Sequence, residues 1–196
     1  LLGRLRGSAR ALPGTKYQRR RVRGTHRLRP TREFVREGGT MAEATATVQQ
    51  FFADRGISIE IRLFEESSHT AEQAAQRLNT QVRNIVKSLL FEADGRPLLV
   101  LCTGDRRVDT AKLSLLCGAQ EVNKASAKST KSVTGYTIGG VPPVAHATPL
   151  PVFMDEELFA CDTVYAAAGT ARSIFAIVPR LLQEVTQAHV GALSAP

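Results

Sequence analysis

Cysteine is scarce in this chain of 196 residues: there are only three, Cys102, Cys117 and Cys161, and no two stand in Cys-x-x-Cys spacing. An odd number without that spacing argues against a disulfide frame or a zinc site and favours a reducing compartment. Histidine is sparse too, and His26, His69, His146 and His189 are too scattered to build a metal centre. Neither a metal nor a cofactor is expected. No apolar run approaches the roughly 18 residues of a membrane span, and no hydrophobic signal-peptide core precedes Met41, so a soluble, cytoplasmic protein without membrane contact is expected. A Gly-x-Ser-x-Gly nucleophile elbow is missing, the cysteines have no evident His partner, and there is no internal repeat.

Negative charge is missing from one end. Residues 1–40 hold twelve Lys or Arg against Glu33 and Glu37, a net of +10, whereas the remainder has 14 basic and 16 acidic residues, a net of −2. The overall charge of +8 therefore belongs to a leader and not to the domain behind it. Without a sustained apolar period, residues 1–40 are expected not to fold alone, and residues 41–196 form the domain. An organellar transit peptide and a basic RNA-binding arm both fit such a stretch. So does translated upstream sequence, since the chain starts with Leu and Glu37-Gly38-Gly39 is what a purine-rich ribosome-binding site encodes.

Hydrophobic content of 43% and the domain's length suit one buried core. Val48, Phe51 and Phe52 mark a helix over Thr47–Arg55 stopped by Gly56, and Ile57, Ile59, Ile61 and Leu63 alternate as a strand. Thr70 with Gln73 makes a capping box for a helix ending near Asn79. Val82–Val86 fits helix and strand alike. Ser88–Ala93 and Leu98–Thr103 flank Asp94-Gly95 as a hairpin. Helices follow over Thr110–Cys117 and Ser126–Val133, then strands at Tyr136–Ile138, Pro151–Met154, Thr163–Ala167 and Ile174–Ile177, and a last helix from Pro179 to Ala188. This mixed order lacks regular β-α-β repetition and argues against a doubly wound parallel sheet.

Two segments carry chemistry. In Asn84-Ile85-Val86-Lys87-Ser88-Leu89-Leu90-Phe91 one lysine stands inside an apolar run, where an ammonium is costly unless something anionic meets it. In Thr137-Ile138-Gly139-Gly140-Val141-Pro142-Pro143 the glycines permit positive φ and close approach by a ligand, and the prolines stiffen the exit. Together they suggest a pocket with one fixed cation and a wall of peptide groups, suited to a polar, anionic substrate.

With Ser68-His69-Thr70-Ala71-Glu72-Gln73-Ala74-Ala75 before them and Val152-Phe153-Met154-Asp155 and Ala166-Ala167-Ala168-Gly169-Thr170 after them, these segments resemble the YbaK/ProX family from about Phe51 to Val190. That family comprises aminoacyl-tRNA deacylases related to the editing domain inserted in bacterial prolyl-tRNA synthetases. The resemblance implies an α/β fold with a mixed, strongly curved, partly barrel-like sheet flanked by helices. It also implies a trans-editing hydrolase that cleaves the ester of a mischarged aminoacyl-tRNA, with the acceptor end of that tRNA and a synthetase as partners. The alternative is a non-catalytic module of the same fold that binds a tRNA end or a synthetase.

The ester is already activated, so such a site needs to hold the adenosine, fix the amino acid, place a water and stabilise the oxyanion, with the neighbouring ribose hydroxyl assisting. Carried over, Lys87 engages the substrate's polar terminus, with Ser88 as the small hydroxyl beside it. The N–H groups of Gly140 and Val141 receive the substrate carbonyl or place water, within the loop Gly139–Pro143 that includes Pro142. Asp155 meets the α-ammonium, Gly169 lets backbone approach the pocket, and His69 contacts RNA, with His146 at the rim. Read without the family, Lys87 is a snorkelling surface lysine, the loop a tight turn between strands, and Asp155 a helix N-cap. Between Val82 and Lys131 nine basic residues face five acidic ones, a local excess able to track phosphates. The amino acid removed is not legible, although Glu156-Glu157 and the Ala-Ala-Ala-Gly-Thr stretch point away from the cysteine-clearing branch.

Overall fold

The computed structural model describes residues 40–68 and 70–195; the expectations for the leader and for His69 lie outside them. Helix α1 (Met41–Ala53) begins six residues earlier than its apolar pattern suggested, because Thr40 and Glu43 form a reciprocal capping box at its start. It buries Val48 and Phe52. The expected strand from Ile57 shrinks to β1 (Ile61–Leu63), the three residues of it that pair with β8 (Ser173–Ile177).

Thr70 caps α2 (Ala71–Leu78) by accepting from the Gln73 amide, and Asn79 closes it in the left-handed region at φ 50°. The ambiguous stretch after it divides into a 3₁₀ turn over Val82–Asn84 and the start of a strand. Strands β2 (Val86–Ala93) and β3 (Arg96–Thr103) make the expected hairpin, with Asp94 and Gly95 both at positive φ as a two-residue type I′ connection requires. Short β4 (Arg107–Val108) precedes α3 (Thr110–Cys117), which Gly118 ends at φ 71°. Then come β5 (Val122–Lys124), α4 (Ala127–Thr134), β6 (Val152–Asp155), β7 (Val164–Ala167), β8, α5 (Pro179–Thr186), β9 (His189–Gly191) and β10 (Ser194–Ala195).

Tyr136–Ile138 is not a strand. Gly135 caps α4 in the left-handed region, the Tyr136 amide donates back to the Thr134 hydroxyl, and Gly140 N–H closes a turn onto the Thr137 carbonyl, so no ladder can form there. The α5 helix also stops before Ala188, at Gln187 with φ 53°.

The strands form a five-stranded mixed sheet in the order β5-β2-β3-β6-β9, a three-stranded antiparallel sheet β1-β8-β7, and the pair β10-β4. β6 lies parallel to β3 and β9 parallel to β6. All are open sheets among the described residues. Period-2 alternation divides the hairpin between two cores. Val86, Leu90, Leu99 and Leu101 face a core shared with Phe52, Phe175 and Leu182, while Phe91, Leu98 and Val100 face a second with Leu113, Phe153 and Leu193. Among the described residues no helix is long and apolar enough to cross a membrane.

Candidate active site

β5 pairs with β2 only at Phe91–Ala93, so the first half of β2 has no ladder partner on that side apart from single bonds at its ends. The five consecutive residues Val86–Leu90 line a cavity of about 340 Å³. Alternating side chains of a strand cannot all point one way, so it is the strand's edge, backbone included, that faces this cavity. The opposite walls come from the start of α2, the segment around Gly139, and the β7–β8 turn with Thr170 and Ala171.

Lys87 stands on the face of β2 that also carries its cross-strand partner Cys102. Its Nζ donates to the carbonyl of Arg106, in the turn between β3 and β4, so the ammonium is fixed by backbone and forms no ion pair among the described residues. An ammonium has three donors, and one such bond leaves two for a ligand. Ser88 points to the other face; its Oγ is buried without a partner among the described residues, as is that of Ser68, which also lines the cavity. Two buried hydroxyls lining one cavity are ready-made contacts for a polar ligand, since each is costly to leave unpaired.

The glycine-proline loop is organised differently from its sequence reading. Gly139 is the residue at positive φ, 88°, and it lines the cavity; a Cβ there would meet nothing closer than 3.7 Å. Gly140 does not line it. Its need for glycine is spatial, since a Cβ would lie 2.7 Å from Thr170 Cα, and its N–H is taken by the Thr137 carbonyl at 2.9 Å. Of the two amides expected to serve a substrate, only that of buried Val141, which lines the cavity, makes no hydrogen bond to a described residue. Pro142 and Pro143 are buried behind the cavity wall, where the Pro142 carbonyl accepts from His146 Nε2 at 2.8 Å. A carbonyl only accepts, so this ring nitrogen carries the proton; burial holds the His146 pKa below its usual range, and the hydrogen bond opposes that more weakly.

Two expected site residues lie elsewhere. Asp155 is fully buried, but it shares the sheet face of Phe153 and its Oδ1 accepts from the Leu193 amide at 3.2 Å; it is outside the cavity lining. It occupies the N-cap position of the 3₁₀ turn Glu156–Ala160 without a side-chain capping bond. Gly169 adopts φ 98° and abuts α1, where a Cβ would lie 2.8 Å from the Ala44 carbonyl oxygen, so the close approach it permits is to a helix and not to the cavity. Burial pushes the Cys102 thiol up to about 11, with Lys87 opposing and Asp155 adding to the rise, which excludes a ready thiolate nucleophile.

Sequence reasoning gave no site role to Glu72, Gly104 and Thr170, which line the cavity, and counted Lys124, which lines it too, only in the basic face. Glu72 and Thr170 stood inside the quoted segments without a role. Gly104 gave no signal of its own, yet a Cβ there would run first into the Val82 carbonyl oxygen and then within 2.9 Å of the Ala71 Cβ, so its bareness lets the 3₁₀ turn and α2 close on the β3–β4 turn. Part of the expected basic face is already engaged: Lys112 and Lys131 donate to the Ser194 and Gly135 carbonyls, and Arg83 pairs with Glu157 at 3.8 Å. Among the described residues no group of three or more His, Cys, Asp or Glu is placed to hold a metal ion.

A mixed α/β domain in which a lysine-bearing strand edge opens on a hydroxyl-lined cavity is the class of site defined here. Residues 65–185 match the aminoacyl-tRNA editing domain, and the chain belongs to that family. It is 30% identical to the uncharacterized protein YwhH of Bacillus subtilis (strain 168) over 74% of this chain and 92% of that one. It is also 40% identical over 91 residues to the proline–tRNA ligase of Desulfovibrio desulfuricans, a match that spans 46% of this chain and 16% of the ligase. A solved structure of a protein proposed to be a trans-editing enzyme for prolyl-tRNA synthetase superposes with a TM-score of 0.75 at 35% identity, covering 80% of this chain and all of the other.

Proposed function

We propose that this protein clears mischarged tRNA in trans, hydrolysing the ester between a wrongly attached amino acid and the terminal ribose. The observation that carries this reading is Lys87, held at an open strand edge with donors to spare, inside the span that matches the editing family. The tRNA acceptor end enters the cavity, where Lys87 takes the substrate's carbonyl or phosphate end and the Val141 N–H lies beside the reacting carbon. Charge developing on the ester oxygen is met by fixed donors in a partly water-excluded cavity, the arrangement that contributes most to acyl-transfer catalysis. Ser68 and Ser88 hydroxyls hold the ribose hydroxyls or the attacking water. A parallel bridge between Ile85 and Tyr165 ties β2 to β7 and supports the strongly curved, partly barrel-like reading of the two larger sheets.

The test is single-turnover deacylation across a panel of mischarged tRNAs, among them alanyl, seryl and threonyl esters of the proline tRNA. At least one should be hydrolysed well above its spontaneous rate. A specific observation keeps the binding-module reading in play: the Gly140 N–H and one Lys87 donor are already bonded within the protein. Tight binding of the tRNA end with no hydrolysis of any member of the panel would establish that reading instead.

A further inference from the structure

One carboxylate, Glu72, faces a cavity whose other charged lining residues are Lys87 and Lys124. Glu72 is the second residue of α2 and stands exposed at the mouth. Hydrogen bonds from its own amide, then from the Thr70 hydroxyl, hold its carboxyl below the usual range, and Lys87 adds a smaller push in the same direction. None of the ion pairs among the described residues uses it. The cavity thus carries, on one lining, a carboxylate outside the ion pairs of the described residues and a fixed ammonium.

An aminoacyl ester differs from a peptidyl or N-acylated ester in one group, a free α-amine, which is largely protonated at neutral pH. A site meant for the first and not the second needs a carboxylate near the ester. Asp155, which the family resemblance assigns to that duty, is turned to Leu193 on the far side of the sheet. We propose that Glu72 is the specificity residue of this site, receiving the α-ammonium of a free aminoacyl group while Lys87 takes the carbonyl or phosphate end. The proposal rests on the reading of the cavity as an aminoacyl-tRNA end site, and it makes N-acylated esters poor ligands.

The probe is 3′-amino-3′-deoxyadenosine acylated with alanine, a stable amide in place of the ester, beside its N-acetyl counterpart, each titrated calorimetrically into the full chain. Wild type should bind the free-amine compound about tenfold tighter, the scale of one charge-assisted contact at a partly exposed site. Glu72→Gln should reduce that preference to about twofold or less, bind the N-acetyl compound as wild type does, and melt at the wild-type temperature, because the residue is exposed. A wild type without preference, or without binding, overturns the proposal, as does a Glu72→Gln protein that keeps the preference. Hydrolysis of the whole mischarged-tRNA panel, and of the N-acetylated form of each member, is followed separately. If none is cleaved while the binding preference holds, the hydrolytic reading falls and the assignment of Glu72 stands.

Discussion

Lys87 has one donor committed to the Arg106 carbonyl, and that bond sets where the remaining ammonium protons point. Lys87→Ala should leave the melting temperature within a few degrees of wild type and lower single-turnover deacylation by about a hundredfold or more, the scale of losing one electrostatic contact to a developing charge. Lys87→Arg should recover only part of it, because a planar guanidinium is larger and differently directed. Normal hydrolysis by Lys87→Ala would return the residue to a surface role. His146 supports a second prediction. Its pKa is depressed by burial, so between the folded value and the unfolded value of about 6.5 the unfolded chain binds more protons. Stability is therefore full above that unfolded value and is lost as pH falls through the window. His146→Gln, melted at pH 7.5 and at pH 5, should show a smaller acid-induced drop than wild type. The place of Lys87 on the cavity lining was legible because a lone cation in an apolar strand is conspicuous in any sequence. Asp155 was misread because a strand-end carboxylate can serve either face, and parity with Phe153 decides the matter only once the cavity is known to lie elsewhere.

The loop from Gly135 to Leu150 shows the same division among elements. Its two adjacent glycines are indistinguishable in sequence, yet Gly139 answers a φ of 88° and Gly140 answers the backbone of Thr170. Gly139→Ala should cost about 1–2 kcal/mol from the left-handed conformation alone. Gly140→Ala should cost more, because a Cβ would lie 2.7 Å from Thr170 Cα and backbone must move to admit it. Thermal melts of the two variants should rank in that order, and equal melting temperatures would refute the division of roles. Gly140→Val consequently damages folding as well as activity, contrary to what the loop sequence alone suggests. The hairpin β2–β3, the end of α3, the start of α5 and, to within one residue at each end, the span of β6 were readable, since each depends on local chemistry: Asp94-Gly95, Gly118, Pro179 and a short apolar run. β4, β5, β9 and β10 were not, being two or three residues long and defined only by distant partners.

At the scale of the whole molecule the residues from β9 to β10 bind back onto the strand that follows the acceptor of the Lys87 ammonium. β9 lies beside β6, β10 pairs with β4, Leu193 is fully buried between them, and Lys112 holds the Ser194 carbonyl at 2.9 Å. β4 begins at the residue after Arg106, the acceptor of the Lys87 ammonium. The opposite end matters through Thr40, whose cap on α1 implies that a chain trimmed to begin at Gly39 should melt above one beginning at Met41, by about 1 kcal/mol of stability. For the C-terminal strap the lever is Asp155. Asp155→Ala strands the buried Leu193 amide and should cost about 1–3 kcal/mol, while Asp155→Asn keeps an acceptor and should stay near wild type. If the strap positions the lysine, Asp155→Ala should also slow single-turnover hydrolysis severalfold at saturating tRNA, and that slowing should vanish when Lys87 is already alanine. Equal slowing in both backgrounds would mean that Asp155 acts on the site by another route, with the strap serving stability alone.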